Sequence, residues 1–143
     1  MRDKEHDRQI ILDTNIFISA LIKDSLTRKL LLEYEGHFLF PEYIFLEIEK
    51  HHSEILEKTG LTKEELSKLM NTLLKKVLIV PTKALEPYKR EAISIMKDID
   101  INDALFIACA LAYKNSIIWS DDRKLKSQNI IMILNTKEIK ASN

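Results

Sequence analysis

The sequence has very little cysteine, no net charge and no long apolar run. Its 143 residues include a single cysteine, Cys109, which excludes an internal disulfide and favours a reducing compartment. No apolar run is long enough to span a bilayer, and no secretory signal segment is visible. We therefore expect a cytoplasmic protein that does not bind a membrane.

The charges of the chain are balanced. Lys and Arg together number 22, as do Asp and Glu, so the formal net charge is zero. The chain lacks the long-range positive field of a typical nucleic-acid binder, and a local basic patch, a metal ion or a partner would have to replace it. No repeat or linker interrupts the sequence, which predicts one domain over residues 1–143 with residues 1–8 as a flexible lead-in.

Short apolar runs alternate with helical stripes along the chain. The runs predict strands at residues 10–12, 37–40, 77–80, 116–119 and 130–134. Apolar residues at helical spacing predict two helices within 16–36 and further helices at 42–58, 62–75, 86–97, 104–113, 123–128 and 136–140. This alternation predicts an α/β protein, a three-layer α/β/α sandwich around a central parallel sheet of about five strands.

The stretch from Ile10 to Asn15 is the most informative part of the sequence. Ile10, Ile11 and Leu12 form an unbroken apolar run, typical of a strand buried on both faces of a parallel sheet. Asp13 follows directly, and the carboxyl ends of such strands border the crevice where α/β proteins bind ligands. Asp13 is therefore a candidate for chemistry, although an Asp-Thr-Asn turn equally suits the cap of the next helix.

Other acids occupy comparable positions. Asp121 and Asp122 follow the fourth predicted strand. Asp103 opens a helix that is apolar nearly all round, although the helix dipole alone favours a carboxylate there by about 0.3 to 1 kcal/mol. Glu47 lies at one edge of the apolar stripe that follows the second strand and Glu49 at the other, so spacing does not choose between them.

Carboxylates that converge in one partly buried crevice repel one another unless a cation neutralises them. A set of oxygen ligands favours hard ions, which points to Mg²⁺ or Mn²⁺, whereas zinc would need histidine or cysteine. The four histidines do not form such a set, because His51 and His52 diverge on a helix while His6 and His37 are isolated. We expect all of them to be solvated or packed.

The order and spacing of these acids resemble the PIN domain family, metal-dependent ribonucleases that include the VapC-type toxins of toxin–antitoxin pairs. The resemblance covers residues 9–134 and combines the opening Asp13-Thr14-Asn15 turn, the spacing from Pro41 to Glu47, Asp103 with its alanine-rich helix, and the turn Ser120-Asp121-Asp122. That last turn is similar to the family's Thr-x-Asp motif. In the family a large apolar residue lies three positions after the motif, and in this sequence that residue is Leu125. No single piece is specific, and the prediction depends on their order.

Carried over position by position, the resemblance implies a set of catalytic, metal-binding acids: Asp13, Glu47, Asp103 and Asp122, with Asp121 as an additional metal ligand. It thereby prefers Glu47 over Glu49. Supporting roles are implied for Thr14, which would steady the first carboxylate, for Asn15, which would hold the turn, and for Ser120.

Basic residues near the predicted turns are candidates for phosphate contacts. They are Arg123 and Lys124, with Lys114 and Lys126 nearby, and they are equally well explained as a solvated charge run. Lys124 is also a departure from the family, since many members carry a second acid at that position. This departure weakens a second metal site.

The resemblance implies an endoribonuclease that uses Mg²⁺ or Mn²⁺ to cut single-stranded or structured RNA, leaving a 5′-phosphate and a 3′-hydroxyl. It further implies a homodimer and, for a toxin, an antitoxin or other protein partner, for which residues 42–75 offer a helical surface. A non-catalytic PIN-like scaffold is one alternative, because Lys124 and the zero net charge both suit it. A receiver-type signalling domain is a weaker one, since its acid pair would follow the first strand.

Overall fold

A sheet of five strands forms the centre of the protein, whose computed structural model describes residues 8–22, 25–96 and 103–142. The strands are β1 (Gln9–Leu12), β2 (Phe38–Pro41), β3 (Val77–Val80), β4 (Ser116–Trp119) and β5 (Ile133–Leu134). All pairings are parallel, and the strands lie in the order β3-β2-β1-β4-β5. The predicted parallel sheet is confirmed.

Helices occupy the connections between the strands. They are α1 (Thr14–Ile22), α2 (Leu26–Glu33), α3 (Ile44–Lys50), α4 (His52–Thr59), α5 (Lys63–Leu74), α6 (Thr82–Ile95), α7 (Ala104–Ala112) and α8 (Thr136–Ser142), with a 3-10 helix at Arg123–Ser127. α7 packs along α6 and lies against β1, β2 and β4, whereas α1 contacts α2, α3, α4 and α5. With the sheet, these two helical groups form the predicted α/β/α sandwich. Among the described residues, no helix is long and apolar enough to cross a bilayer.

β1 is the central strand of the sheet. Ile10 pairs with Phe38 of β2 on one side and with Ile117 of β4 on the other. Ile11 and Leu12 are fully buried, as the unbroken apolar run predicts. Burying a side chain of this size stabilises a fold by about 1.5 to 3 kcal/mol. The packing of Ile11 and Leu12 therefore fixes the position of the end of β1.

The helix predicted over residues 42–58 is divided into two. At His51 the backbone leaves helical geometry, with φ −99° and ψ 7°, and α4 begins at the next residue. The predicted apolar stripe persists across this break, because Ile44, Ile48 and Ile55 are all buried. Spacing of apolar residues therefore identified the buried face correctly without revealing the break between the two helices.

Two elements begin at different residues than predicted. β5 starts at Ile133 and not at Ile130, which is 63% exposed and lies outside the sheet. α6 starts at Thr82 and not at residue 86, and it contains Pro87. Proline removes one helical hydrogen bond, and the helix nevertheless continues through Pro87.

The turn between α4 and α5 is defined by a glycine and a capping box. Gly60 ends α4 with φ 70°, a left-handed conformation that favours glycine. Thr62 Oγ1 accepts from the Glu65 N–H at 3.1 Å, and Glu65 Oε1 accepts from the Thr62 N–H at 3.0 Å. This reciprocal pair is a capping box, and it fixes the start of α5.

Candidate active site

The carboxyl edge of the sheet gathers the predicted acids, because all the strands run in the same direction. Asp13 follows β1 and the Ser120–Asp122 turn follows β4, while Glu47 lies in the first turn of α3, just after β2. α7 joins β4 through residues 113–115 at the amino edge, so α7 begins toward the carboxyl edge, where Asp103 lies.

Asp13 is a buried carboxylate surrounded by neutral donors. The residue is 6% exposed, and Ser120 Oγ donates to its Oδ2 at 2.6 Å. The backbone N–H groups of Thr14 and Asn15 also donate to the carboxylate. The Asp13 carbonyl accepts from the Ile16 N–H at 3.1 Å, so the residue caps α1 as well as presenting its side chain at the edge of the sheet.

Burial raises the pKa of Asp13 above its ordinary value. The hydrogen bonds from Ser120, Asn15 and Thr14 lower this pKa, and the negative charge of Asp122 raises it. Within the described residues, no Lys, Arg or His forms a salt bridge with Asp13. The buried carboxylate of Asp13 therefore has the Asp122 carboxylate as a neighbour, and no cationic side chain among the described residues pairs with it.

Ser120 links the ends of the two neighbouring strands through one hydroxyl. It is 1% exposed, donates to Asp13 and accepts from the Asp122 N–H at 3.0 Å. Asp122 Oδ1 in turn accepts from the Lys124 N–H at 2.9 Å and caps the 3-10 helix. The structure thus brings Asp13 close to Ser120 and Asp122, which lie more than a hundred residues later in the sequence.

Asp121 has a different partner. Its Oδ1 accepts from the Thr136 N–H at 2.7 Å, and its Oδ2 accepts from the Thr136 hydroxyl at 2.8 Å. The same hydroxyl accepts from the indole N–H of the buried Trp119 at 3.0 Å. Both carboxylate oxygens of Asp121 are therefore engaged at the start of α8.

Glu47 is partly buried, whereas Glu49 is exposed. The Tyr43 hydroxyl donates to Glu47 Oε1 at 2.5 Å, and Lys50 Nζ lies 3.9 Å from the same oxygen. Tyr43 was not among the predicted site residues. Its spacing of four residues from Glu47 is nevertheless a usable sequence signal, because residues so spaced face each other on a helix.

Asp103 is the N-cap residue of α7, and its carbonyl accepts from the Phe106 N–H at 3.1 Å. Its carboxylate is partly buried and makes no capping hydrogen bond to the helix. Thr14 is buried in the first turn of α1, and Asn15 beside it is exposed. Asp98 and Asp100, two further acids of the sequence, lie outside the described residues.

Over residues 8–22, 25–96 and 103–142, no group of three His, Cys, Asp or Glu side chains is assembled to hold a metal ion. Asp13 and Asp122 are linked through the Ser120 hydroxyl, and the negative charge of Asp122 raises the pKa of Asp13. This pair fits a hard divalent cation, because it offers only oxygen ligands and one of the two carboxylates is buried without a cationic partner. Glu47 and Asp103 stand at the same edge of the sheet by topology.

The basic residues divide between the two edges of the sheet. Arg123 and Lys124 are exposed on the 3-10 helix beside Asp122. Lys114 lies in the turn before β4, at the amino edge of the sheet. The prediction that Lys114 lies near the crevice at the carboxyl edge was therefore wrong. A surface cleft of about 380 Å³ adjoins the site and is lined by Ser120, Asp121, Asp122, Arg123, Lys126, Asn135, Thr136 and Lys137.

The cysteine and the described histidines take no part in the site. Cys109 is buried in α7, and burial raises the pKa of its thiol to about 12. His51 Nδ1 lies 3.1 Å from Glu54 Oε2 in an exposed pair, as expected for a solvated histidine. Thiolate and imidazole ligands are therefore not offered by these residues.

Comparison with known proteins identifies the family of the chain. The profile of the PIN domain matches residues 11–141. The chain belongs to the PIN domain family. This PIN domain is also similar to a chain in the crystal structure of VapBC2 from Rickettsia felis bound to a DNA fragment from their promoter. The two chains are 21% identical and superpose with a TM-score of 0.66, and the match covers 89% of this chain and 98% of that chain. At this identity the likeness concerns the fold. No curated protein matches the chain.

Proposed function

We propose that this PIN domain is an endoribonuclease that depends on Mg²⁺ or Mn²⁺. The observation that carries the proposal is Asp13, a buried carboxylate with a raised pKa beside Asp122 and without an ion pair among the described residues. Keeping an uncompensated acid in such a place costs stability, and acids of this kind concentrate at functional sites. A bound divalent cation removes the cost.

The proposed ligands are Asp13 and Asp122, completed by Glu47 and Asp103 from the same edge of the sheet. Ser120 directs one oxygen of Asp13, and Tyr43 holds one oxygen of Glu47, so both carboxylates are oriented before substrate arrives. When bound, the cation supplies charge stabilisation at a phosphoryl oxygen and a lowered pKa for a coordinated water.

RNA binding is assigned to the surface beside these acids. Arg123 and Lys124 are exposed next to Asp122, where they are available to phosphates flanking the bond to be cut. Because the net charge of the chain is zero, we expect this contact to be local and the affinity for RNA to be modest.

The function is tested by incubating the protein with mixed single-stranded RNA in Mn²⁺, in Mg²⁺ and in EDTA. Cleavage is expected in both metals and not in EDTA, with 5′-phosphate and 3′-hydroxyl ends. The Asp13→Asn variant, checked for folding by circular dichroism, is expected to lose activity by at least about a thousandfold. Because it is purified in the same way, its loss of activity would also show that the cleavage does not come from a contaminating nuclease. Equal cleavage by wild type and variant would contradict the assignment.

We further propose that the nuclease is the toxin of a toxin–antitoxin pair. Support comes from the VapC-like pattern of its acids and from the VapBC2 complex that shares its fold. Induced expression in a bacterial host should stop growth, and the Asp13→Asn variant should not. Growth arrest by both proteins would contradict a catalytic toxin.

A non-catalytic PIN-like scaffold is the second candidate. It is favoured by one observation: Asp122 Oδ1 already caps the 3-10 helix through the Lys124 N–H, a structural use of a predicted ligand. A scaffold need not bind metal. Absence of both cleavage and any rise in melting temperature with Mn²⁺ would favour it.

A further inference from the structure

Asp121 lies between Ser120, whose hydroxyl donates to Asp13, and Asp122, whose N–H donates to that hydroxyl. Ser120 and Asp122 both belong to the hydrogen-bond chain that reaches Asp13, while the residue between them binds the start of α8. β4 lies between β1 and β5 in the sheet, so Asp13, which follows β1, and Thr136, which follows β5, are on opposite sides of the turn at residues 120–122. The side chains of Ser120 and Asp121 therefore bond to groups on opposite sides of this turn.

The contact on the opposite side is bidentate. Thr136 donates its backbone N–H to Asp121 Oδ1 and its hydroxyl to Oδ2, at 2.7 Å and 2.8 Å. Because the hydroxyl proton is used in this bond, the oxygen is left to accept from the Trp119 indole at 3.0 Å. The residues at the end of β4 are thus tied to α8 through both Trp119 and Asp121.

We propose that Asp121 is a positioning residue for the metal site and not one of its ligands. Through Thr136 it fixes the rotation of the 120–122 turn, and this rotation directs Ser120 and Asp122 toward Asp13. This role depends on the metal-dependent function proposed above.

The two roles of Asp121 predict different mutant patterns. A ligand acts through its charge and its oxygens, so Asp121→Asn and Asp121→Ala would both weaken metal binding, and Thr136 would be irrelevant. A positioning residue acts through its hydrogen bonds to Thr136. Asparagine retains an acceptor for the backbone N–H and offers its own N–H₂ to the Thr136 oxygen, so it should preserve the turn.

The experiment measures the Kd for Mn²⁺ by calorimetry on folded protein, well below each variant's melting temperature. Asp121→Ala should raise the Kd tenfold or more, as is common when a group that orients a ligand is removed. Thr136→Val should raise it about threefold, since the backbone half of the contact remains. Asp121→Asn should stay close to the wild-type value.

A control variant separates positioning from loss of stability. Asn135 Oδ1 accepts from the Glu138 N–H at 2.8 Å and so caps the same helix, whereas the hydrogen bonds of Asp121 go to Thr136. Asn135→Ala should lower the melting temperature in EDTA and leave the Kd for Mn²⁺ unchanged. The indole N–H resonance of Trp119, the only tryptophan, should shift in Thr136→Val and stay in place in Asn135→Ala.

The outcomes are distinguishable. A Kd that rises in Asp121→Ala and Thr136→Val and recovers in Asp121→Asn supports the positioning role. Wild-type affinity in Thr136→Val, or equal losses in the two Asp121 variants, overturns this role while the metal site stands. Wild-type protein that binds no Mn²⁺ overturns both the proposed function and the role of Asp121.

Discussion

Two pairs of neighbouring strands end at the same edge of the sheet, and the acids that follow them have different surroundings. At the end of β1 and β4, Asp13 is buried beside Asp122 and its pKa is raised. At the end of β2 and β3, Glu42 is exposed, and its Oε1 accepts from the Thr82 N–H at 3.3 Å. Both acids follow a buried strand, so position in the topology does not by itself make a carboxylate suitable for chemistry.

Burial accounts for the difference. The exposed Glu42 keeps its hydration and serves to close a turn, together with its own N–H, which donates to the Val80 carbonyl at 2.9 Å. Asp13 lies in the sheet's centre, where desolvation penalises its charge and three neutral donors offset only part of the penalty. Glu42 is therefore a natural control for Asp13.

The largest expected difference concerns metal binding by these two acids. Mn²⁺ at about a hundredfold excess over Kd should stabilise wild type and Glu42→Gln by about 2.7 kcal/mol, seen as a higher melting temperature. Asp13→Asn should show no such rise, because the buried ligand has lost its charge. Equal stabilisation of all three proteins would place the metal elsewhere and remove the distinction between the two strand pairs.

The next prediction tests the link between β1 and β4. Ser120→Ala removes the donor to Asp13 and the acceptor for the Asp122 N–H, so the Kd for Mn²⁺ should rise about tenfold or more. Ser116 lies at the other end of β4, and its hydroxyl contacts the Tyr113 carbonyl. Ser116→Ala should leave the Kd unchanged, and a similar loss in both variants would show that the effect is not specific to the site.

A smaller effect is expected at α3. Tyr43→Phe removes the hydrogen bond to Glu47 Oε1 and keeps the ring, so RNA cleavage should slow by about threefold to tenfold, in line with the loss of one oriented contact. We expect the change in kcat and not in KM, because Glu47 is assigned to the metal site and not to RNA binding. The exposed Glu49 provides the control, and Glu49→Gln should retain wild-type kinetics.

The smallest effect is on the stability of the metal-free protein. Because the pKa of Asp13 is raised in the folded state, its contribution to stability is present in acid and is lost as the pH rises through the folded pKa. In EDTA at pH 8, Asp13→Asn should therefore melt a few degrees above wild type, and the two should converge near pH 3. A variant that melts lower than wild type at pH 8 would contradict an uncompensated charge at Asp13.

The positions of several candidate site residues in the fold were predictable because their signals are local. An unbroken apolar run before Asp13 predicted a buried strand with an acid at its end, and apolar spacing placed Ile44, Ile48 and Ile55 on one buried face. Asp103 at the start of an apolar helix was likewise visible. These patterns depend on neighbours within a few residues, which the sequence contains directly.

Other features had no local signal. The helix break at His51 and the late start of β5 left the apolar pattern unchanged, so spacing did not reveal them. Tyr43 carried a usable signal, its spacing from Glu47, whereas Thr136 carried none. Asp121 and Asp122 are adjacent in sequence and equivalent in chemistry, and only the course of the folded backbone separates their partners.

The sequence alone determined the parallel α/β architecture and the family, because strand burial, helix periodicity and the order of acids are properties of the chain itself. The tertiary structure decided which acid is buried, which hydroxyl joins β1 to β4, and which way each side chain of the 120–122 turn faces. Those outcomes depend on contacts between residues as distant as Asp13 and Ser120. Desolvation and hydrogen-bond direction exist only once such residues have been brought together.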